Sequence, residues 1–359
     1  MPGLLADLGC QRPMVVASTR AMATRQGRAV TSCMISGNLP ALFDRVHQHP
    51  SMALAVEGAQ AACAYGADSI IAIGGGSAID LAKGVALAAR GSDLERLADT
   101  SPAQRTSDAG LALPPIIAIP TTLSGAEAIP RTGLLDARGH KRILRHPQIA
   151  CRAIILDAMG NQETPAMVML PSGMNAFAHC LEALYSRARD PVSTALALAA
   201  LPWLHRGLDG IMAADSRDAR AQALVGAFLA GRAIINARTG LHHATCHVLG
   251  ARGLSHGLAN AVVLPHALRF NARASGGLLD GAAAALGLEV GSTAAEALAE
   301  LVERIRLRAG LPGRLRDVGI GRDQFADIAA QVTLEPGMAF NPGQALKRGD
   351  LVAFLEGCY

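Results

Sequence analysis

Aromatic side chains are scarce in this 359-residue chain: seven Phe, three Tyr and one Trp, 3% in all. Large rings cannot dominate the core, so helices must pack through Ala, Leu and Gly. Charge is also sparse, at 17% of residues, with a net +4 and no long basic run. That argues against nucleic acid as the main partner and leaves a mild preference for anionic substrates or phosphates. No Cys-x-x-Cys pair occurs among the scattered Cys10, Cys33, Cys63, Cys151, Cys180, Cys246 and Cys358. This argues against a disulfide framework or a structural zinc site, and a reducing cytoplasm is the expected compartment. No apolar run reaches the roughly eighteen residues of a membrane span. The first ten residues lack the positive region and long apolar core of a signal peptide. Internal repeats and low-complexity linkers are missing too.

What is present is an apolar half of the sequence and 38 glycines, on a chain long enough for two domains. Over residues 1–160 short apolar runs alternate with helical stretches. Strands are expected at 13–17, 30–35, 69–73, 115–119 and 153–156, and helices at 51–65 and 79–89. Continuous apolar strands alternating with helices imply a parallel sheet covered on both faces, an α/β domain.

Two loops at carboxyl ends of these strands point to a nucleotide. Gly74, Gly75, Gly76 and Ser77 join a strand to a helix. Glycines there let the backbone approach a phosphate, and the helix offers free N–H groups and its positive dipole end. It is not the common dinucleotide fingerprint, because Ile79 stands where a third glycine would, and it is not a P-loop. The second loop, 120–127, carries Thr121 and Thr122, which could equally cap the next helix. The earlier strand ends in Ala17, Ser18 and Thr19 with no acidic residue, so the 2′-phosphate of NADPH is not repelled.

Beyond Asp157 the β-branched runs stop, and 161–359 reads as an all-helical domain, with helical segments at 173–188, 192–206, 218–237, 240–250, 258–268, 277–286 and 293–309. An active site between the two domains is expected. Ser172 suits a helix N-cap. Asn175 and His179 share one helix face, and His243 and His247 share another, while His242 must point elsewhere. His256 lies in a loop or at a helix start. The three segments could bring His179, His243 or His247, and His256 to one cleft, as a carboxylate/His3 metal set would need. The fourth position, Asn175, is neutral, so the set reads as a metal site with its charge removed. Cys246 reads as a small buried thiol. His47, His49, His140, His146, His205 and His266 read as packing or surface residues.

These motifs together resemble the iron-containing alcohol dehydrogenase superfamily: Gly74-Gly75-Gly76-Ser77 with Asp80 and Lys83, Pro120-Thr121-Thr122, Lys141 with Asp157, and His243, His247, His256-Gly257, Asn260 and Leu264-Pro265-His266. Nearly the whole chain is covered. The stretch Ser172–Tyr185, the run Leu241–Gly250 and the tail from Asn341-Pro342 to Tyr359 resemble its maleylacetate reductase branch.

The resemblance implies an N-terminal dinucleotide-binding α/β domain, an all-α catalytic domain and a homodimer. It implies reduction of maleylacetate to 3-oxoadipate, a step in breakdown of aromatic compounds, with hydride from NADH or NADPH. It places the cofactor on Gly74, Gly75, Gly76, Ser77, Asp80, Thr121, Thr122 and Lys141. For catalysis, His243 and His256 are expected to line an oxyanion or carboxylate pocket with His179 behind them, His247 to give or relay a proton, and Asn175 to donate an amide hydrogen bond without adding negative charge. His179, His243 and His256 would be the histidine ligands of iron or zinc, a cation not favoured with Asn175 in place of Asp. Two departures stand out. Relatives usually begin about twenty residues earlier, with an edge strand or hairpin. Leu123-Ser124-Gly125-Ala126-Glu127 replaces a usual Tyr-Ala-Gly-Ser-Glu. Three alternatives remain: an iron- or zinc-dependent alcohol or aldehyde dehydrogenase, a dehydroquinate-synthase-like lyase, and a non-catalytic degenerate homologue.

Overall fold

The computed structural model describes residues 1–34, 41–99 and 112–359. The chain divides into two compact units, 1–122 with 126–164, and 123–125 with 165–359. The division thus falls at Thr164/Pro165, where the sequence pattern placed it at 160/161, and the short segment 123–125 belongs with the helical unit.

The first unit is an α/β layer structure. Its parallel sheet contains β1 (Pro13–Ala17), β2 (Ala41–Phe43), β3 (Ser69–Gly74), β4 (Ile116–Pro120) and a short strand Ala153–Ile154, in the order β2, β1, β3, β4, Ala153–Ile154. Strand residues alternate between two apolar layers. Met14, Val16, Ile70, Ala72, Ile116 and Ala118 enter one core with the helices Met52–Tyr65 and Gly76–Ala88. Val15, Ala17, Ile71, Ile73, Ile117 and Ile119 enter the other. Burial on both faces is why these strands carry no polar alternation.

The strand expected at 30–35 is a correction. Residues 30–34 belong to the helix Arg25–Met34, and Ile35 lies outside the described residues. Val30 is buried, and Thr31 turns its hydroxyl back onto the Gly27 carbonyl at 3.0 Å. β-branched residues here fill a helix face, so tertiary packing overrides propensity. An antiparallel hairpin, Arg131–Leu135 with Lys141–Arg145, was not anticipated.

The second unit is helical. Pro191–Ala213 and Arg217–Ala237 pack closely because glycines meet the partner helix: a Cβ on Gly207 would lie 2.5 Å from the Ala223 nitrogen, and one on Gly226 2.8 Å from Leu204. Small-residue contact takes the place of the missing rings. Ser172 is a second correction. It lies inside the helix Ala166–Tyr185, one residue past the internal Pro171. Its hydroxyl donates to the Met169 carbonyl at 2.8 Å and accepts from the Leu123 N–H at 2.9 Å. The N-cap role fails because the helix runs through the proline rather than starting after it. Among the described residues no helix is long and apolar enough to cross a membrane.

Candidate active site

In the first unit β3 runs into the helix Gly76–Ala88 with Gly75 as N-cap, so the helix starts three residues earlier than expected. Gly74 has φ +148°, and a Cβ on it would lie 2.8 Å from Ala78 Cβ. A Cβ on Gly75 would lie 2.9 Å from Thr122 Cγ2. Only glycine fits both positions, so the two predicted loops are one surface: Thr122 packs on Gly75, and the Thr121 N–H donates to the Gly74 carbonyl at 2.9 Å. No side chain caps the helix start. Its first N–H groups therefore suit an anionic pyrophosphate, and this cradle fits a dinucleotide. Ser18, in contrast, is occupied as an N-cap, accepting from the Ala21 N–H at 3.1 Å.

Asp80 and Lys141 lie at the hairpin. The Asp80 carboxyl accepts from the Gly133 N–H, the Thr132 hydroxyl donates to the Asp80 backbone carbonyl at 2.8 Å, and burial pushes the carboxyl pKa up against the pull of Lys83 and Lys141. The exposed Lys141 runs its stem along Gly133. Lys83, fully buried, donates to the carbonyls of Ala126, Ile129 and Arg131 at 2.6, 2.6 and 3.1 Å. It fixes residues 126–131 to the cradle helix.

The second unit gathers the histidines. Ala166–Tyr185 carries Asn175 and His179, Leu241–Ala251 carries His242, His243 and His247, and His256–Ser275 begins at His256. His179 stacks on His243 with ring centroids 4.8 Å apart and planes 7° apart. His256 lies 5.9 Å from His243 and 6.1 Å from His247, centroid to centroid. All five predicted residues, Asn175, His179, His243, His247 and His256, thus meet in one cluster. His242 does not point wholly elsewhere: its Nε2 lies 3.6 Å from the buried Cys246 thiol, but its Nδ1 stays 3.2 Å from His243 Nδ1, because both rings reach toward Glu182. Burial raises that thiol well above its ordinary pKa, so it is inert at neutral pH.

What holds the cluster is Glu182, which the sequence reading passed over. Its carboxylate, fully buried, caps the Leu241–Ala251 helix by accepting from the Gly240 N–H at 2.9 Å. It also bonds His243 Nδ1 directly. Asn341 completes the cap, accepting from the Leu241 N–H at 3.0 Å. Burial raises the Glu182 pKa and lowers that of His242, so both lean to their neutral forms; neighbouring charge and the helix N–H groups oppose this. The signal was available: Glu182 is the lone Asp, Glu, Lys or Arg in the twenty-residue helix Ala166–Tyr185.

Asn175 donates its amide N–H to the Ser124 carbonyl at 3.1 Å, which turns Oδ1 toward His243 Nε2, also at 3.1 Å. With Oδ1 as acceptor, Nε2 carries a proton here. The same pair of donor atoms suits a cation, since a histidine backed by a carboxylate is a common metal ligand. Glu182, His242 and His243 place donor atoms within 4.8 Å of one another, all buried. The neutral Asn175 therefore does not disfavour a metal as expected, because an ionisable carboxylate stands directly behind His243.

Residues 1–158 match the family described as iron-containing alcohol dehydrogenase, and 169–359 match the C-terminal part of the same family. This chain belongs to the iron-containing alcohol dehydrogenase family and is an oxidoreductase. It is 33% identical over 321 residues to a maleylacetate reductase of Burkholderia cepacia, covering 89% of this chain and 81% of the relative. It is 30% identical over 352 residues to a 4-hydroxybutyrate dehydrogenase of Cupriavidus necator, covering 94% and 90%. The crystal structure of a maleylacetate reductase from Rhizobium sp. strain MTP-10005 superposes with a TM-score of 0.82 at 28% identity, over 99% of this chain and 92% of that one.

Proposed function

We propose that the protein is an NADH- or NADPH-dependent reductase of a small anionic carbonyl compound, with maleylacetate as substrate and 3-oxoadipate as product. The observation that carries this reading is His243, locked between Glu182 and Asn175 with a proton on Nε2. An anion is attracted by such a donor, and the uncharged Asn175 does not repel it. Similarity to the maleylacetate reductases supports the substrate. We also propose that the chain works as a homodimer, as the family resemblance implies.

Maleylacetate is a dicarboxylate whose C=C is conjugated to a carbonyl. Gly75, Gly76 and Ser77, with Thr121 and Thr122 beside them, would hold the pyrophosphate of a bound dinucleotide, which would supply the hydride. As a C–H bond forms at the conjugated carbon, negative charge develops on the enol oxygen. His256 stabilises that charge, joined by His243 when its Nε2–H passes from Asn175 Oδ1 to the substrate oxygen, with His179 stacked behind His243. His247 gives a proton to the neighbouring carbon, completing addition of two hydrogens across the double bond. Were a divalent cation bound, His179, His243, His256 and the Asn175 oxygen would hold it, and it would polarise the carbonyl oxygen.

The test is NAD(P)H oxidation with maleylacetate against simple aldehydes, with and without chelator. Turnover confined to maleylacetate supports the reading. A second reading, a metal-dependent alcohol or aldehyde dehydrogenase, is favoured by the Glu182, His242 and His243 donor group and the 4-hydroxybutyrate dehydrogenase relative. Stoichiometric iron or zinc with chelator-sensitive aldehyde turnover would establish it instead.

A further inference from the structure

Within the histidine cluster, two carboxylate–histidine hydrogen bonds, Glu182 to His243 and Glu335 to His247, differ in character. Glu182 and His243 are sealed, with side-chain exposures of 0% and 3%. Glu335 and His247 are open, at 28% and 34%. Only the second pair can exchange a proton with bulk water without opening the fold. Its geometry is well made: Glu335 Oε2 lies 3.0 Å from His247 Nδ1.

Glu335 is also firmly placed. It joins the helix Phe325–Leu334 to the 3-10 turn Pro336–Phe340. Its N–H donates to the Val332 carbonyl at 3.1 Å, and its carbonyl accepts from the Met338 N–H at 3.0 Å. The following proline restricts it to extended backbone, as observed at φ −67° and ψ 127°. Beyond the turn, Phe340 accepts from the Arg187 N–H at 2.9 Å. Asn341 exchanges two 3.0 Å hydrogen bonds with Asn271 and holds the start of the His247 helix through Leu241. Carboxylate and imidazole are therefore anchored to one framework from both ends.

We propose that Glu335 is a positioning residue for proton transfer, fixing His247 as the Nδ1–H form with Nε2 turned to the work. A carboxylate can only accept, so the bond requires the proton on Nδ1. Nε2 then carries the free lone pair, which takes up a proton from solvent, passes it to the substrate carbon and is left as a lone pair again. The rings of His243 and His256, 6.2 and 6.1 Å away by centroid, flank His247 and leave Nδ1 to Glu335. This assignment rests on the histidine cluster being the site of proton delivery.

The experiment pairs histidine-selective 15N NMR with steady-state kinetics on the full chain, comparing wild type, Glu335→Ala and Glu335→Gln, with His247→Gln to assign the ring. Wild type should show a protonated Nδ1 at His247. Glu335→Ala should lose it, toward the Nε2–H form that free histidine favours. Glu335→Gln retains an acceptor and should keep it, which also guards against a folding defect in the alanine variant. The alanine variant should lose about tenfold or more in kcat, as supporting carboxylates commonly do. Its KM for the nucleotide should stay within about twofold, and the glutamine variant should keep kcat within about threefold of wild type. An unprotonated Nδ1 in wild type, an unchanged ring in Glu335→Ala, or alanine turnover within twofold of wild type would overturn the proposal. If wild type turns over no carbonyl substrate while the ring responds as described, the functional reading fails and the Glu335–His247 assignment stands.

Discussion

At the residue scale the account turns on which atoms hold protons. His243 has one nitrogen on Glu182 and the other on Asn175. His243→Ala should lower kcat/KM by about 10²–10⁴-fold, the range for losing a positioned acid or base. Glu182→Gln should cost about 10–100-fold while leaving nucleotide affinity unchanged, read by fluorescence titration. Asn175→Asp should raise zinc or iron affinity by about tenfold or more, read by metal analysis after dialysis. It should also destabilise the fold by about 1–3 kcal/mol, since the carboxylate can no longer donate to the Ser124 carbonyl.

A different residue governs pH dependence in the first unit. Burial pushes Glu127 up to about 7 from its ordinary 4.5, against the pull of Lys83, and Oε2 has no hydrogen-bond partner. An acid whose pKa is raised on folding is bound to its proton more tightly in the folded state. Its stabilising contribution is full below about 4.5 and is lost as pH rises through about 7. Glu127→Gln, neutral at every pH, should unfold at higher urea than wild type at pH 8 and show a flatter stability profile between pH 4.5 and 7. Equal slopes in the two proteins would contradict the assignment.

At the scale of elements, the site depends on places where no side chain fits. Gly74 lies at φ +148° against Ala78, so Gly74→Ala should cost about 1–3 kcal/mol in urea unfolding and weaken nucleotide binding in parallel. A Cβ on Gly257 would lie 2.6 Å from Pro171 Cβ, where the His256 helix crosses the Asn175 helix. Gly257→Val should push these helices apart and displace His256, lowering kcat at least tenfold with nucleotide affinity preserved.

The same scale shows what could be read in advance. The histidine cluster was legible because i,i+4 spacing within a helix fixes a shared face before any tertiary structure is known. The buried strands were legible because both faces are apolar. Glu335 was not, and Glu182 showed only as a lone charge in an apolar helix, since each gains its role from a partner 61 or 88 residues away. Val30 and Thr31 misled because a β-branched pair serves a helix face as well as a strand when packing decides. Ser172 misled because a proline usually opens a helix, and here Pro171 lies within one.

At the scale of the molecule, scarcity of rings and charges is a consistent design. Two apolar layers sandwich a parallel sheet in one unit, and glycine-mediated helix contacts build the other. The few buried polar groups are therefore conspicuous: Lys83 braces the nucleotide cradle, and Glu182 and Asn341 cap the helix that carries the histidines. The family resemblance anticipated the two-part architecture, and the polar braces explain how so apolar a chain holds each part of its chemistry in place.

The central proposal is that the protein reduces a conjugated, anionic carbonyl compound with hydride from NADH or NADPH and a proton from the histidine cluster. The most direct measurement is the ratio of kcat/KM for maleylacetate to that for lactaldehyde, with NADH or NADPH in excess. A ratio of about 10² or more is predicted, the discrimination a site can achieve when it pairs polar substrate groups. A ratio near one, or a preference for the aldehyde, would contradict the account.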